Sequence, residues 1–217
     1  MNKITLCNRL SIFPLSNVIF FPNTTLPLNI FEKRYLEMIN DSIKDSKLIG
    51  MVQPQKNNNK FLSHNKPDLY SVGCVGKIVS CNKSNDERFI ISLLGISRFK
   101  IEKEIKNKKL YREFLVSYKG FEKDIEKEEQ KNKKLNFKNL INIIKIFCKK
   151  KGFFFNWNEL NKLNIEELIN ITSMILPFTS EEKQNLLEAS SLDSKHKMLN
   201  EIVNFYILDN FENNTLQ

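Results

Sequence analysis

The stretch Arg9–Tyr35, R-L-S-I-F-P-L-S-N-V-I-F-F-P-N-T-T-L-P-L-N-I-F-E-K-R-Y, decides how the rest of the chain is read. Its first apolar run, Leu10–Leu15, is broken by Pro14, and the second, Val18–Phe21, is closed by Pro22. The third, Leu26–Ile30, carries Pro27 near its start and runs straight into helical spacing. Proline removes a ladder donor, so these runs suit short edge strands, bends and a strand-to-helix corner better than one long central strand. The residues are packing and turn residues, with no acid–base pair and no ligand cluster. The stretch points to a binding or scaffolding module rather than a catalyst.

Working outward, Phe31, Tyr35, Met38, Ile39 and Ile43 follow the spacing of one helical face and predict a helix from about 30 to 45. Asn29 is the expected cap, with Glu32 as its capping-box partner. Leu48–Gln53 reads as a short buried strand closed by Pro54. Gln55–Asp68 is a polar loop in which Phe61 and Leu62 stand alone, either tucked back onto the barrel or exposed as a contact point. From Leu69 to Phe121 the pattern is a β-meander: Leu69–Cys81, Arg88–Leu94, Ile96–Ile105 and Tyr111–Phe121, with Gly95 punctuating the middle pair. Gly73 and Gly76 inside the first of these predict a bulge or tight corner. Short strands at this spacing with one early helix predict a small, partly open barrel.

Composition shifts at Glu122. Residues 122–134 are highly charged and read as a linker or an exposed helix start, dividing a β subdomain (1–121) from a helical one (135–217). Phe137, Leu140, Ile141, Ile144, Phe147 and Cys148 form a helical stripe, ended by Lys149–Lys151 and a left-handed cap at Gly152. The aromatic patch Phe153–Trp157 is expected to pack between the helical region and the barrel. Asn164 with Glu167 and Thr179 with Glu182 are capping boxes that open two further helices, and Pro177 stops the first. Asp193 is the expected cap of the last helix, with Met198, Leu199, Ile202, Val203 and Tyr206 on its buried face. The fold class is α+β: a β pseudo-barrel with one early helix, then a C-terminal α-helical bundle.

Bulk numbers narrow the functions. The 217 residues are 41% hydrophobic and 11% aromatic, so the chain is globular rather than disordered. A net charge of +9 permits weak attraction to nucleic acid or an anionic membrane, but the lysines are interleaved with Glu and Asp, which discounts both, so neither a nucleic-acid nor a membrane partner is expected. The four cysteines, at 7, 74, 81 and 148, lack CxxC spacing and a nearby His, and read as reduced thiols. No apolar span is long enough to cross a membrane, and Arg9, Pro14 and Asn17 interrupt any signal-peptide core, so the expected location is cytoplasmic. There is no P-loop, no G-x-S-x-G elbow and no G-x-G-x-x-G turn. His64 and His196 read as surface residues, and the pairs Glu166–Glu167 and Glu181–Glu182 sit where helix N-termini explain them. No catalytic residue, metal ligand or cofactor is expected.

Several separated motifs then agree. L-P-L-N-I-F-E-K-R-Y (26–35), L-I-G-M-V-Q-P (48–54), L-Y-S-V-G-C-V-G-K-I (69–78), G-I-S-R-F (95–99) and P-F-T-S-E-E-K-Q-N-L-L-E-A (177–189) resemble the Lon N-terminal, or Lon substrate-binding, domain. More closely, they resemble stand-alone bacterial proteins made of that domain alone. The resemblance runs from Leu10 to about Tyr206. It departs from the usual pattern at Asn85–Arg88 and in the Lys-rich 103–109 and 131–134 segments, which bears on loops rather than on fold. It implies a PUA-like pseudo-barrel followed by helices, in a domain that in full-length Lon proteases precedes an ATPase module and a Ser–Lys protease domain and helps to engage substrates. No motif of either module precedes Gln217, so hydrolysis is not expected.

The leading expectation is a non-catalytic protein- or peptide-binding module in protein quality control or acting as an adaptor. Its partner would be an unfolded or partly folded polypeptide, or a protease or chaperone. The candidate contacts are Phe20, Phe21 and Pro22 in the opening stretch and Phe61 and Leu62 in the loop. The alternatives are an RNA-binding PUA-like module and a peptidase-associated role inherited by kinship alone.

Overall fold

The computed structural model describes residues 6–55, 67–84, 86–125 and 137–212. By backbone contacts the chain divides into two units, Met1–Lys127 and Glu128–Gln217.

The first unit is built on β1 (Arg9–Pro14), β2 (Thr25–Ile30), β3 (Leu48–Val52), β4 (Val72–Lys83), β5 (Phe89–Ile105) and β6 (Arg112–Ser117), with helix α1 (Lys33–Lys44) between β2 and β3. Strand β1 pairs in parallel with β3 and antiparallel with β6; β3 pairs with β4, β4 with β5, and β5 with β6. Those five pairings close a ring. Strand β2 lies outside it, paired only with the first half of β5. Leu10, Ile12, Leu48, Val52, Val75, Phe99, Phe114 and Val116 pack together inside as one core. Closure removes most sheet edges, which is how a small barrel avoids exposing unpaired backbone.

Gly95 does not end a strand. β5 runs unbroken for 17 residues, pairing with β2 over its first half and with β6 over its second. Gly95 is instead a place of close approach, where an added Cβ would collide with the Phe21 carbonyl. The bulge expected near Gly76 is present, as a register shift between Val75 and Gly76. A Cβ at Gly76 would stand 2.6 Å from the Phe20 ring.

The start of α1 differs from the sequence expectation. Asn29 pairs with Ile90 in the β2–β5 ladder and is not available as a cap. The helix begins after Glu32, whose carbonyl accepts from Tyr35 and Leu36, both at 2.9 Å. Phe31 therefore falls outside the helix and is exposed, while Tyr35, Met38 and Ile39 are buried as the spacing predicts. Strand pairing through Ile30 outcompetes helix extension because each ladder position satisfies backbone groups that a frayed first turn would leave open.

Beyond β6, a 3-10 turn (Glu122–Asp124) lies within the charged segment. The second unit holds α2 (Phe137–Lys151), the single turn α3 (Trp157–Leu160), α4 (Ile165–Ile175), α5 (Ser180–Glu188) and α6 (Leu192–Glu212). Both predicted capping boxes form, Asn164 with Glu167 and Thr179 with Glu182. The cap of α6 is Ser191, which exchanges hydrogen bonds with Ser194 at 3.1 and 3.2 Å, while Asp193 sits in the first turn. Phe147, Phe178 and Tyr206 pack as a triad with ring centroids 5.8 to 6.1 Å apart. The burial expected for the aromatic patch after α2 does not hold at its start, where Phe153 and Phe154 are exposed, while Phe155 and Trp157 are half-buried. No helix among the described residues is long and apolar enough to cross a membrane.

Candidate functional site

The candidate contacts of the opening stretch are occupied inside the fold. Phe20 and Phe21 are 2% and 0% exposed, and Pro22 is buried beside them. The Phe20 ring lies against Gly76 of β4 and the Phe21 backbone carbonyl against Gly95 of β5, and at this burial neither ring presents a surface to a partner. Phe61 and Leu62 lie outside the described residues.

A different apolar surface is formed where β2, the first half of β5 and the second half of β4 lie side by side. Alternation along the strands sorts their side chains onto two faces. Leu26, Leu28 and Ile30 share the inner face with Leu93, Ile91 and Phe89, their direct partners. Thr25, Pro27 and Asn29 turn outward with Leu94, Ser92 and Ile90. Phe31 continues the outward set two residues on; it is 64% exposed, with the Arg88 guanidinium 5.9 Å from its ring centroid. Ile90 is 53% exposed, and Val79, the bulged residue of β4, is exposed as well. Pro27 lies diagonally between Ile90 and Leu94, within the reach of diagonal cross-strand neighbours. Lys77, paired with Leu94, and Arg88 place cations at its margins.

The free edge of β2 is blunted. Gly95 donates to the Thr24 carbonyl at 2.9 Å, which sets the phase of the ladder. By alternation, Leu26, Leu28 and Ile30 point their backbone groups at β5, whereas Thr25, Pro27 and Asn29 point theirs outward. Pro27 has no N–H, so the outward edge lacks its central donor. The exposed apolar groups here lie on the face of the sheet rather than along its edge.

A second feature is a polar cavity of about 480 Å³ lined by Arg9, Ser11, Asp41, Lys109, Tyr111 and Glu113, among others. Glu113 is buried and accepts from Arg9 at 2.6 Å, Asn107 at 2.9 Å and Lys109 at 3.1 Å. Lys109 also donates to the Tyr111 hydroxyl at 2.7 Å, which donates in turn to Asp41 on α1 at 2.7 Å. Burial pushes the Glu113 carboxyl up, but its three donors outweigh that and hold it below the ordinary carboxylate range. The hydrogen bond that Lys109 donates to Tyr111, and after it the one that it donates to the Glu113 carboxylate, hold Lys109 above its ordinary value despite burial. Arg9, Lys44 and Lys109 are matched by Asp41, Asp45 and Glu113 around the same cavity. This network fastens α1 and the β5–β6 turn to β1 and β6.

Neither feature pairs a nucleophile with a base. Cys74 and Cys148 are buried, and burial pushes the Cys148 thiol up to about 11. Among the described residues no group of His, Cys, Asp and Glu could hold a metal ion.

A protein-family model described as the ATP-dependent protease La (LON) substrate-binding domain matches residues 9–204. The chain belongs to the LON substrate-binding domain family. It is 30% identical over 191 residues to the Lon protease of Malacoplasma penetrans, covering 82% of this chain and 23% of that protein. It is 31% identical over 101 residues to the Lon protease of Anaeromyxobacter dehalogenans, covering 46% of this chain and 12% of that one. The chain thus spans less than a quarter of the curated relatives it matches. Among solved structures, it resembles a Lon N-terminal domain protein from Xanthomonas campestris, with a TM-score of 0.60, 18% identity and coverage of 90% of this chain and 96% of that one. The N-terminal domain of a Mycobacterium avium complex Lon protease matches with a TM-score of 0.64, 11% identity and coverage of 90% and 98%. These likenesses bear out the α+β barrel-and-helices fold read from the sequence.

Proposed function

We infer that the chain is a non-catalytic polypeptide-binding module that takes up apolar segments of unfolded or partly folded proteins on the outer face of β2, β5 and β4. The observation that carries this reading is the outward row Pro27, Phe31, Ile90 and Leu94, with Val79 beside it, in a unit whose other large aromatics are mostly buried. A contiguous exposed apolar surface rimmed by polar groups marks an interaction site, and membership of a substrate-binding domain family fits it. A flat apolar face gives affinity with little sequence specificity, as a receptor for many unfolded chains requires. We propose that it works in protein quality control or as an adaptor, in the cytoplasm, a role that this chemistry suits. Hydrolysis is not part of it, since the described residues offer no nucleophile with an orienting base.

The test is fluorescence anisotropy with a carboxymethylated, permanently unfolded polypeptide. Phe31→Ser and Ile90→Ser together should weaken binding at least tenfold while leaving thermal stability unchanged, since both side chains are exposed. Equal affinity of wild type and double variant would remove the site; failure of the wild type to bind would remove the function.

A further inference from the structure

Helix α2 ends in a closed turn. Gly152 has φ of +72°, and the Phe153 N–H donates to the Cys148 carbonyl at 2.9 Å, the hydrogen bond of a Schellman cap. The turn sets Phe153–Asn156 directly beside the last turn of the helix, which is Lys149, Lys150 and Lys151. A hydrophobic residue at the position of Phe153 commonly accompanies this closure. Phe154 has no such explanation: it is 97% exposed, more than any other large apolar side chain among the described residues.

Charge is segregated in the same place. Residues 145–163 contain five lysines and one acid, Glu159, a net four of the chain's nine positive charges. Glu159 is itself taken by Lys162 at 2.7 Å. Lys145 lies 5.4 Å from the centroid of Trp157, whose ring meets Phe155 edge-on at 5.9 Å. Lys150 donates to the Ile207 carbonyl at 3.2 Å and Lys151 lies 5.9 Å from the Tyr206 centroid, so both hold their charge at this end of the helix. A helix C-terminus favours cations, but that does not account for a bare phenyl ring among them.

A protruding ring offers an extended peptide none of the flat apolar surface that the β face presents, and the polar cavity described above is not lined by residues of this loop. A bilayer interface is deformable and accepts apolar rings and lysines together. No arginine occurs after Arg112, so the forked phosphate contacts favoured in nucleic-acid recognition are absent here. Lysine, a point charge on a flexible stem, suits a diffuse anionic surface. We propose that the α2–α3 loop is a peripheral docking site for anionic lipid bilayers, with Phe154 entering the headgroup boundary and Lys145 and Lys149–Lys151 held against lipid phosphates.

Trp157 is the chain's single tryptophan and reports on this loop directly. The full chain would be titrated with vesicles of phosphatidylcholine alone or with one quarter phosphatidylglycerol, following Trp157 emission and vesicle flotation. Blue-shifted emission and flotation with the anionic vesicles only, lost in high salt, are expected. Phe154→Ala should weaken binding roughly tenfold, and Lys149→Gln roughly fivefold. Phe31→Ser, on the separate β face, should bind vesicles as the wild type does, so the two surfaces are told apart. Undiminished binding by Phe154→Ala would overturn the proposal, as would equal binding to both vesicle types. Binding of a single-stranded RNA oligonucleotide that is lost in Phe154→Ala, without vesicle binding, would reassign the loop to nucleic acid.

Discussion

Arg98 and Asp124 form a two-pronged ion pair between the middle of β5 and the 3-10 turn that follows β6. Nε donates to Oδ2 and a terminal nitrogen to Oδ1, both at 2.8 Å, and the Arg98 backbone N–H adds a third bond to Oδ2 at 2.9 Å. The two side chains are 9% and 3% exposed, and the guanidinium lies 4.5 Å from the Phe121 centroid. Planar forks of this kind are the strongest ionic contacts available to a protein, and they bind the end of the first unit's chain back onto its barrel.

Removing one partner strands the other. Asp124→Ala leaves a buried guanidinium without its carboxylate and should cost about 3–5 kcal/mol of stability. Denaturant unfolding followed by circular dichroism would read the loss. A change below about 1 kcal/mol would show that the pair is replaceable by water.

At Gly76 the effect is steric. The Cβ of Gly76→Ala would meet the Phe20 ring at 2.6 Å, and the ring is fully buried, so the core must shift. Destabilisation of about 1–3 kcal/mol is expected. Adding Phe20→Leu should recover part of it, an outcome that a purely backbone effect at Gly76 would not produce.

Glu113 titrates usefully. Its carboxyl sits below the ordinary value in the folded protein, so its contribution is present above the unfolded pKa of about 4.3 and is lost as pH falls through the lower folded value. Glu113→Gln should therefore destabilise by about 1–2 kcal/mol at pH 7, modest because Arg9 is half exposed, and by much less near pH 3. Melting temperatures of the two proteins measured across pH 3–7 should converge at the acid end.

His196 has the opposite chemistry and a different window. Burial holds its imidazole below the ordinary value, with Asp193 partly opposing, so the unfolded state binds a proton first. Stability is whole above about pH 6.5 and declines as pH falls through the interval down to the folded pKa. His196→Gln should flatten that decline when unfolding is followed by Trp157 fluorescence. An unchanged slope between pH 7 and 5 would place the titration elsewhere.

Much of the fold is legible from residues a few positions apart. The capping boxes at Asn164 and Thr179, the stripe of α2 and its Gly152 cap each depend on contacts within four or five residues, and all are present. The broken opening strands and the bulge at Gly76 also follow from local chemistry, since proline and glycine limit what any backbone can do there. Strand boundaries were less legible. Gly95 reads as punctuation, yet β5 passes through it because two different partners satisfy its two halves. The ion pair of Arg98 with Asp124 gives no local signal, because its members stand 26 residues apart.

The candidate binding face divides the two kinds of information most sharply. Sequence alone determined that Arg9–Tyr35 is a run of proline-broken apolar segments leading into a helix, and that it offers no catalytic group. It could not sort the phenylalanines of that stretch. Phe20, Phe21 and Phe31 are chemically the same, but the first two lie under the glycines of β4 and β5 and the third points outward beside Arg88. Only the pairing of β2 with β5 decided which faces water. A strand's two faces are set by its partner's register, and that register is a property of the folded sheet rather than of any single segment.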